Sequence, residues 1–199
     1  MPLEQTFFLI SNLIVGVCVS LVLLAVLIDF VEFQERDQVK KEKKSIVETG
    51  TMLLFFLLFY SLIRFNIGRI IVTSQIWWYL QVGLGLIILI IGSGVNIWGR
   101  LSLGKNWSNQ IKIYKDHTFV SDGGYEIVRH PLYASIIWMF LGASLIYTNY
   151  LALLANLFIF IPFMYYRAKQ EEILLINEFK NYKNYQLKVG MFFPKIIKK

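Results

Sequence analysis

Cysteine is nearly absent from these 199 residues: Cys18 stands alone. One thiol cannot make an internal disulfide, a Cys-x-x-Cys redox pair or a zinc knuckle. Cys18 lies mid-run among Gly16, Val17 and Val19 and is expected to be an inert packing residue. Histidine is almost as scarce. His117 and His130 are the two present, with no His-Glu-x-x-His and no paired imidazoles at ligand spacing, so no metal site is expected. His117 sits in the polar run "YKDHTF" and is expected to face solvent. Also missing are a phosphate loop, a nucleophile elbow and a G-x-G-x-x-G between strand and helix. Without a strand–helix–strand alternation, a dinucleotide fold is excluded. The N-terminus lacks a basic leader and a small-residue cleavage site, so its apolar run is expected to be a retained helix.

What the chain has instead is long stretches without charge, within a composition that is 56% hydrophobic. Gln5 to Ile28 is long enough to cross a ~30 Å hydrocarbon core at ~1.5 Å per residue. Thr49 to Ile63 is shorter and reaches across if Arg64 or Arg69 snorkels, or if the helix continues towards Val72. Gln75 to Trp98 is a third run, whose Gly83, Gly85, Gly92 and Gly94 allow close helix approach. Pro131 to Tyr166 then runs 36 residues without charge. One helix of that length would reach ~54 Å, nearly two bilayer thicknesses. The polar break Thr148-Asn149-Tyr150 at its middle predicts a tight hairpin of two spans, with Pro162 kinking the second. The expectation is an all-α polytopic bundle of about five spans, a single membrane domain over residues 1–199.

Net charge is +7, which by itself would suit nucleic acid. The basic residues flank apolar runs, however, so the lipid bilayer is the expected partner and nucleic acid is not. Lys and Arg number 5 in residues 29–48, 5 in 99–130 and 8 in 167–199, against 2 between the second and third runs. None precedes the first run or sits at the hairpin tip. With five spans, the positive-inside rule puts the three basic segments in the cytoplasm and the N-terminus outside.

Three polar constellations therefore share one face. In "DGGYEIVRHPLYAS", residues 122–135, Pro131 suits the first turn of a helix, His130 falls near its N-cap, and Arg129 precedes them. Free N–H groups there favour an anion. Gly123 and Gly124 predict a tight turn feeding a short interfacial segment. The second constellation, Arg167 with Glu171 and Glu172, follows Tyr165 and Tyr166. Arg167 and Glu171 are i,i+4 neighbours, which by spacing alone reads equally well as a surface ion pair worth ~0.3–0.5 kcal/mol. Beyond it, Leu174, Leu175, Phe179, Tyr182 and Tyr185 alternate with charges, as in an interfacial amphipathic helix. The third is "LGKNWS", which mixes Lys105, Asn106 and Trp107 and is weak alone.

In this order around a helical hairpin, these stretches resemble the isoprenylcysteine carboxyl methyltransferase family of membrane enzymes. "LGKNWS", "DGGYEIVRHPLYAS", "RAKQEEILLINEFKNYKNY" and the ending "GMFFPKI" carry the resemblance, across roughly residues 75–199. Residues 1–74 contribute little. The resemblance implies methyl transfer from S-adenosylmethionine to the C-terminal carboxylate of a prenylated cysteine, with 75–199 as the cofactor-binding catalytic core. It implies that His130, Pro131, Tyr133, Tyr125, Val128 and Glu171 enclose the cofactor, and that Arg167, Glu172 and Arg129 are catalytic. The chain departs from the eukaryotic enzymes in being short, and "FKNY" lacks the glycine that many relatives have after the phenylalanine.

The chemistry suits these residue types. A C-terminal carboxylate, with a reference pKa near ~3.5, is ionised at neutral pH and needs no general base. A planar guanidinium can hold its two oxygens, and a carboxylate suits ribose hydroxyls or a cationic cofactor. Three other readings stay open at this level: methylation of a phospholipid amine, an NADPH-dependent sterol reductase-like enzyme, and a non-enzymatic membrane scaffold. Adjacent Glu171 and Glu172 count against a 2′-phosphate, and an amine acceptor suits Arg167 poorly.

Overall fold

The structure, a computed structural model, describes residues 3–33, 39–43, 46–107, 111–114 and 118–195. His117 and Ser108 lie outside the described residues. The chain is helical nearly throughout: α1 (Leu3–Phe33), α2 (Ile46–Arg64), α3 (Gln75–Leu103), the one-turn α4 (Gly124–Ile127), α5 (Pro131–Ile146), α6 (Tyr150–Ala155), α7 (Ile161–Glu178) and α8 (Tyr182–Lys188). The exception is a small antiparallel ribbon that the sequence did not announce, β1 (Val39–Lys43) on β2 (Ile111–Tyr114). It ties the loop after α1 to the loop after α3.

The five apolar passes form as expected. Leu3–Glu32, Gln75–Asn106 and Tyr150–Glu178 are long and apolar enough to cross a membrane, while Gly50–Arg64 and Pro131–Ile146 are shorter apolar helices. Large apolar side chains such as Leu13, Leu24, Leu54, Ile87 and Phe158 point outward, which in an integral membrane protein means towards lipid. The 29-residue stretch Tyr150–Glu178 is ~43 Å long, more than a ~30 Å core requires, so its last two turns, with Glu171 and Glu172, extend past such a core and Arg167 lies near its edge.

Helices α3 and α5 make the closest pair. A Cβ on Gly85 would sit 2.7 Å from the Gly142 carbonyl oxygen, and one on Gly142 would sit 2.6 Å from the Gly85 oxygen. Only hydrogen fits at either place, so the two backbones touch. Gly92 meets Ser135 and Met139 in the same way, whereas Gly83 and Gly94 face open space and serve no interface. On one side α1 packs through Cys18, which is buried against Val82, Leu89 and Ile146. On the other, α2 brings Phe55 and Phe59 against Phe140 and Phe160, with ring centroids 4.4 to 5.2 Å apart.

The predicted hairpin turn forms at Tyr147–Asn149, and Asn149 does three jobs. Its Oδ1 caps α6 by accepting from the Ala152 N–H, while its Nδ2 donates to the Leu62 and Ile67 carbonyls. The hairpin tip is thereby knotted to the loop between α2 and α3. Pro162 is preceded by a π-helical turn, Asn156–Phe160, so the irregularity in this pass lies one turn before the proline. The amphipathic segment is not one helix either. It breaks after Glu178, and α8 starts again at Tyr182.

Candidate functional site

Gly123 adopts φ +58°, a left-handed conformation that glycine takes without strain, and α4 follows it. Gly124 lies against Gly99 of α3, and its N–H faces Ser102 Oγ at 3.4 Å. This short element delivers Val128, Arg129 and His130 to the head of α5, where His130 is the N-cap and Pro131 the first helical residue. Across from them α7 presents Arg167, Glu171 and Glu172. The hairpin turn brings these two helix ends back to one level, joining residues 43 positions apart in sequence.

Glu172 is the centre of the cluster. It is 2% exposed, and its Oε1 accepts from Arg129 Nε at 2.7 Å and lies 3.3 Å from His130 Nε2. Burial by itself would raise this carboxyl, but the hydrogen bonds and charges of His130 and Arg129 outweigh it and hold it well below the usual carboxylate range. Glu172 is therefore ionised at neutral pH. Its Oε2 lies 3.8 Å from Lys169 Nζ and, among the described residues, makes no hydrogen bond. The Tyr182 hydroxyl of α8 is likewise buried without a partner among the described residues. Its own burial and the charges of Glu172 and Glu171 push its pKa up, so it stays protonated.

A second line of contacts runs through Tyr133. Its hydroxyl donates to Glu171 Oε2 at 3.0 Å and accepts from Arg167 Nε at 3.2 Å, and its ring stacks on His130 with centroids 5.4 Å apart. His130 thus stands between two carboxylates, with Nδ1 3.6 Å from Glu171 Oε2. Arg167 also points Nη1 at Met52 Sδ of α2, at 3.1 Å. It is 7% exposed, which overturns the surface ion-pair reading of its spacing with Glu171. The two glutamates differ in kind: Glu172 is enclosed, while the Glu171 side chain keeps 35% of its surface open.

The remaining candidates fall into place around this centre. Pro131 and Val128 are buried under it, and the Tyr125 carbonyl accepts from the Tyr185 hydroxyl. The "LGKNWS" stretch is elsewhere. Asn106 is buried and exchanges two hydrogen bonds with Thr118, and Trp107 packs on Phe30 and under the Arg100 guanidinium. It clamps a loop. Sequence reasoning missed three contributors. Carbonyls of Gln186 and Val189 accept from Arg129, and Met52 meets Arg167. A buried pair of Arg100 with Asp29 continues through Asn96 to Ser135. A lone Asp or Arg at the edge of an apolar run was the only signal available for that pair. Among the described residues no group of three His, Cys, Asp or Glu is placed to hold a metal.

The model of the isoprenylcysteine carboxyl methyltransferase (ICMT) family matches residues 84–177, from α3 to the end of α7. That segment is similar in sequence to the ICMT family. It holds every charged side chain of the cluster just described. The chain is 28% identical over 121 residues to a probable protein-S-isoprenylcysteine O-methyltransferase of Oryza sativa subsp. indica, covering 59% of this chain and 63% of that protein. It is 30% identical over 111 residues to the Schizosaccharomyces pombe protein-S-isoprenylcysteine O-methyltransferase, covering 54% and 47%. It is 29% identical over 124 residues to protein-S-isoprenylcysteine O-methyltransferase B of Arabidopsis thaliana, covering 61% and 62%. The chain thus spans about half to two thirds of the length of these relatives. The solved structure of a eukaryotic intramembrane Ras methyltransferase ICMT superposes with a TM-score of 0.56 at 24% identity, over 77% of this chain and 54% of that one, a likeness of fold.

Proposed function

We propose that the chain transfers a methyl group from S-adenosylmethionine to the C-terminal carboxylate of a prenylated cysteine or a similar small lipophilic carboxylate. The observation that carries this reading is the Tyr133 hydroxyl. It lies between a buried guanidinium, Arg167, and a carboxylate, Glu171, with the ionised Glu172 beside its stacked partner His130. An anion-binding group and a cation-binding group stand one hydroxyl apart.

The residues fit the cofactor. Glu172 Oε2 and the Tyr182 hydroxyl are buried with hydrogen-bonding capacity to spare, the complement of a ligand rich in hydroxyls and positive charge. In this reading Glu172, His130 and Tyr133 hold the donor, with Glu171, Tyr125, Val128 and Pro131 around it. S-adenosylmethionine, when bound, supplies the methyl on a sulfonium. Arg167 holds the acceptor carboxylate through its planar fork and turns one oxygen to the reaction line. No base is required, because that carboxylate is already ionised. The protein's contribution is alignment and exclusion of water around the nucleophile.

The membrane setting agrees. Helix α5 has 16 residues and so is ~24 Å long, several ångströms short of a ~30 Å core. A prenyl chain can therefore stay among lipid tails while its carboxylate reaches Arg167. The excess of Lys and Arg on this side supports a cytoplasmic site and C-terminus, with the N-terminus outside. The whole chain acts as one membrane domain whose core is residues 75–199.

The test is base-labile methyl incorporation from labelled S-adenosylmethionine into a farnesyl-cysteine analogue, using full-length protein in lipid. Wild-type signal that collapses in Glu172→Ala and Arg167→Ala is expected. Donor binding without transfer would redirect the search to another acceptor, such as a phospholipid amine. Absence of both would overturn the methyltransferase reading.

A further inference from the structure

Beyond the family-matched segment, the chain after α8 turns back across the head of α5. The Arg129 N–H donates to the Gly190 carbonyl at 2.8 Å, and the His130 N–H to the Met191 carbonyl at 3.2 Å. Val128 and Gly190 form a parallel bridge. The Arg129 side chain joins in, with Nη1 donating to the Gln186 and Val189 carbonyls. Three successive residues leading into α5 are thus held by one stretch, 186–191. His130 has no side-chain cap of its own, so the returning chain supplies acceptors that the helix start lacks. Phe192 fixes the end: it is 7% exposed, joins the apolar cluster of Val128 and Ala168, and sets its ring edge-on to His130.

Gly190 makes this path possible. A Cβ there would overlap the Phe193 carbonyl and stand 3.2 Å from the Lys195 nitrogen, so no side chain fits inside the turn. The guanidinium of Arg129 meanwhile divides itself, giving Nε to Glu172 and Nη1 to the returning chain. It is a coupling between that chain and the buried carboxylate.

We propose that residues 186–192 are a strap over the site and that Gly190 is a positioning residue, setting Arg129 and His130 against Glu172 by way of the strap. The inference deepens the site proposed above. Its physical content holds without any ligand. With the strap seated, Arg129 cannot swing away from Glu172 without giving up two carbonyls. With the strap displaced, Glu172 keeps its burial and loses a fixed cation.

The experiment compares full-length wild type with Gly190→Ala and Phe192→Ala in lipid, with no cofactor or substrate added. Phe192→Ala loosens the strap without placing an atom against Phe193, so it remains informative if Gly190→Ala fails to fold. Hydrogen exchange at the Arg129 and His130 amides should quicken about tenfold or more, while the Ile70 and Tyr150 amides at the opposite tip keep wild-type rates. Carboxyl carbon NMR of Glu172, assigned by its loss in Glu172→Gln, should show its titration moving upward in both variants. The groups facing that carboxyl are Arg129, His130, Lys169, Glu171, Tyr182 and Tyr185. The strap touches the first two. Unchanged exchange at Arg129 and His130, or faster exchange with an unmoved Glu172 titration, would overturn the proposal. Neither readout uses S-adenosylmethionine, so the strap stands or falls separately from the methyltransferase reading.

Discussion

Two buried arginine–carboxylate pairs lie at the same edge of this bundle, and they are built differently. Arg100 of α3 pairs with Asp29 of α1, turns its Nε to Asn96, and through Asn96 Nδ2 reaches Ser135 of α5. That chain runs from helix to helix and ends on a serine whose hydroxyl bonds the backbone of its own helix, at Leu132. Arg129 and Glu172 also join distant segments, but Glu172 keeps a buried oxygen without a hydrogen bond among the described residues and is ringed by His130, Tyr133, Glu171 and Tyr182. Burying charge is costly, and unspent hydrogen-bonding capacity adds to the cost. The first pair spends its capacity on holding three helices in register. The second retains some, which is what the proposed ligand site would use.

The contrast can be broken most forcefully at Asp29. Asp29→Ala strands a buried guanidinium, and the expected loss is about 3–5 kcal/mol of stability, read as a lower unfolding midpoint in detergent. Methyl transfer per folded molecule should hold. An equal loss of activity in the folded fraction would erase the distinction between the pairs. Glu172→Gln sharpens the other side. It keeps shape and removes charge, and methyl incorporation should fall by about a hundredfold or more, the scale seen when one preorganised electrostatic partner is removed. A variant that methylates normally would mean that Glu172 is as structural as Asp29.

Arg167→Lys should act less strongly. The charge stays while the fork and the bond to Tyr133 are lost, so the acceptor KM should rise about tenfold with donor affinity unchanged. A change in donor affinity alone would move Arg167 to the cofactor side. The mildest expectation concerns pH. The Glu172 carboxyl is depressed from near 4.5 to about 2, so the stability it contributes is full above the ordinary carboxylate value. That contribution fades as pH falls through the folded value. Acid titration of Arg129→Met should show this dependence shrink, because His130 alone is left to lower the carboxyl. If wild type and variant lose stability in parallel below the ordinary value, Arg129 does not set the Glu172 charge.

Much of the architecture was legible in the chain itself, because a hydrocarbon core recognises little beyond length and charge. Uncharged runs near Gln5, Thr49 and Gln75 became α1, α2 and α3, and the break at Asn149 became a hairpin, since a 36-residue apolar run has to fold back. Pro131 opened its helix and Gly123 its turn for reasons confined to a few neighbouring atoms. Where packing decides, local reading failed. The glycines of α3 look alike in sequence, yet only some of them meet another helix. Arg167 and Glu171 have the spacing of a surface pair, yet Arg167 is enclosed, because α2 and α5 close over that side of α7.

The candidate site divides along the same line. Its residue types, their order and their common side of the membrane follow from sequence, through helix-start chemistry and the alternation of basic loops. Which carboxylate faces which cation does not. Arg129 meets Glu172 across 43 positions, and Arg100 meets Asp29 across 71. No short-range periodicity connects residues so far apart. The choice between Glu171 and Glu172 rests on a rotation of about 100° around the helix axis, and only the helices packed against α7 give that angle a meaning.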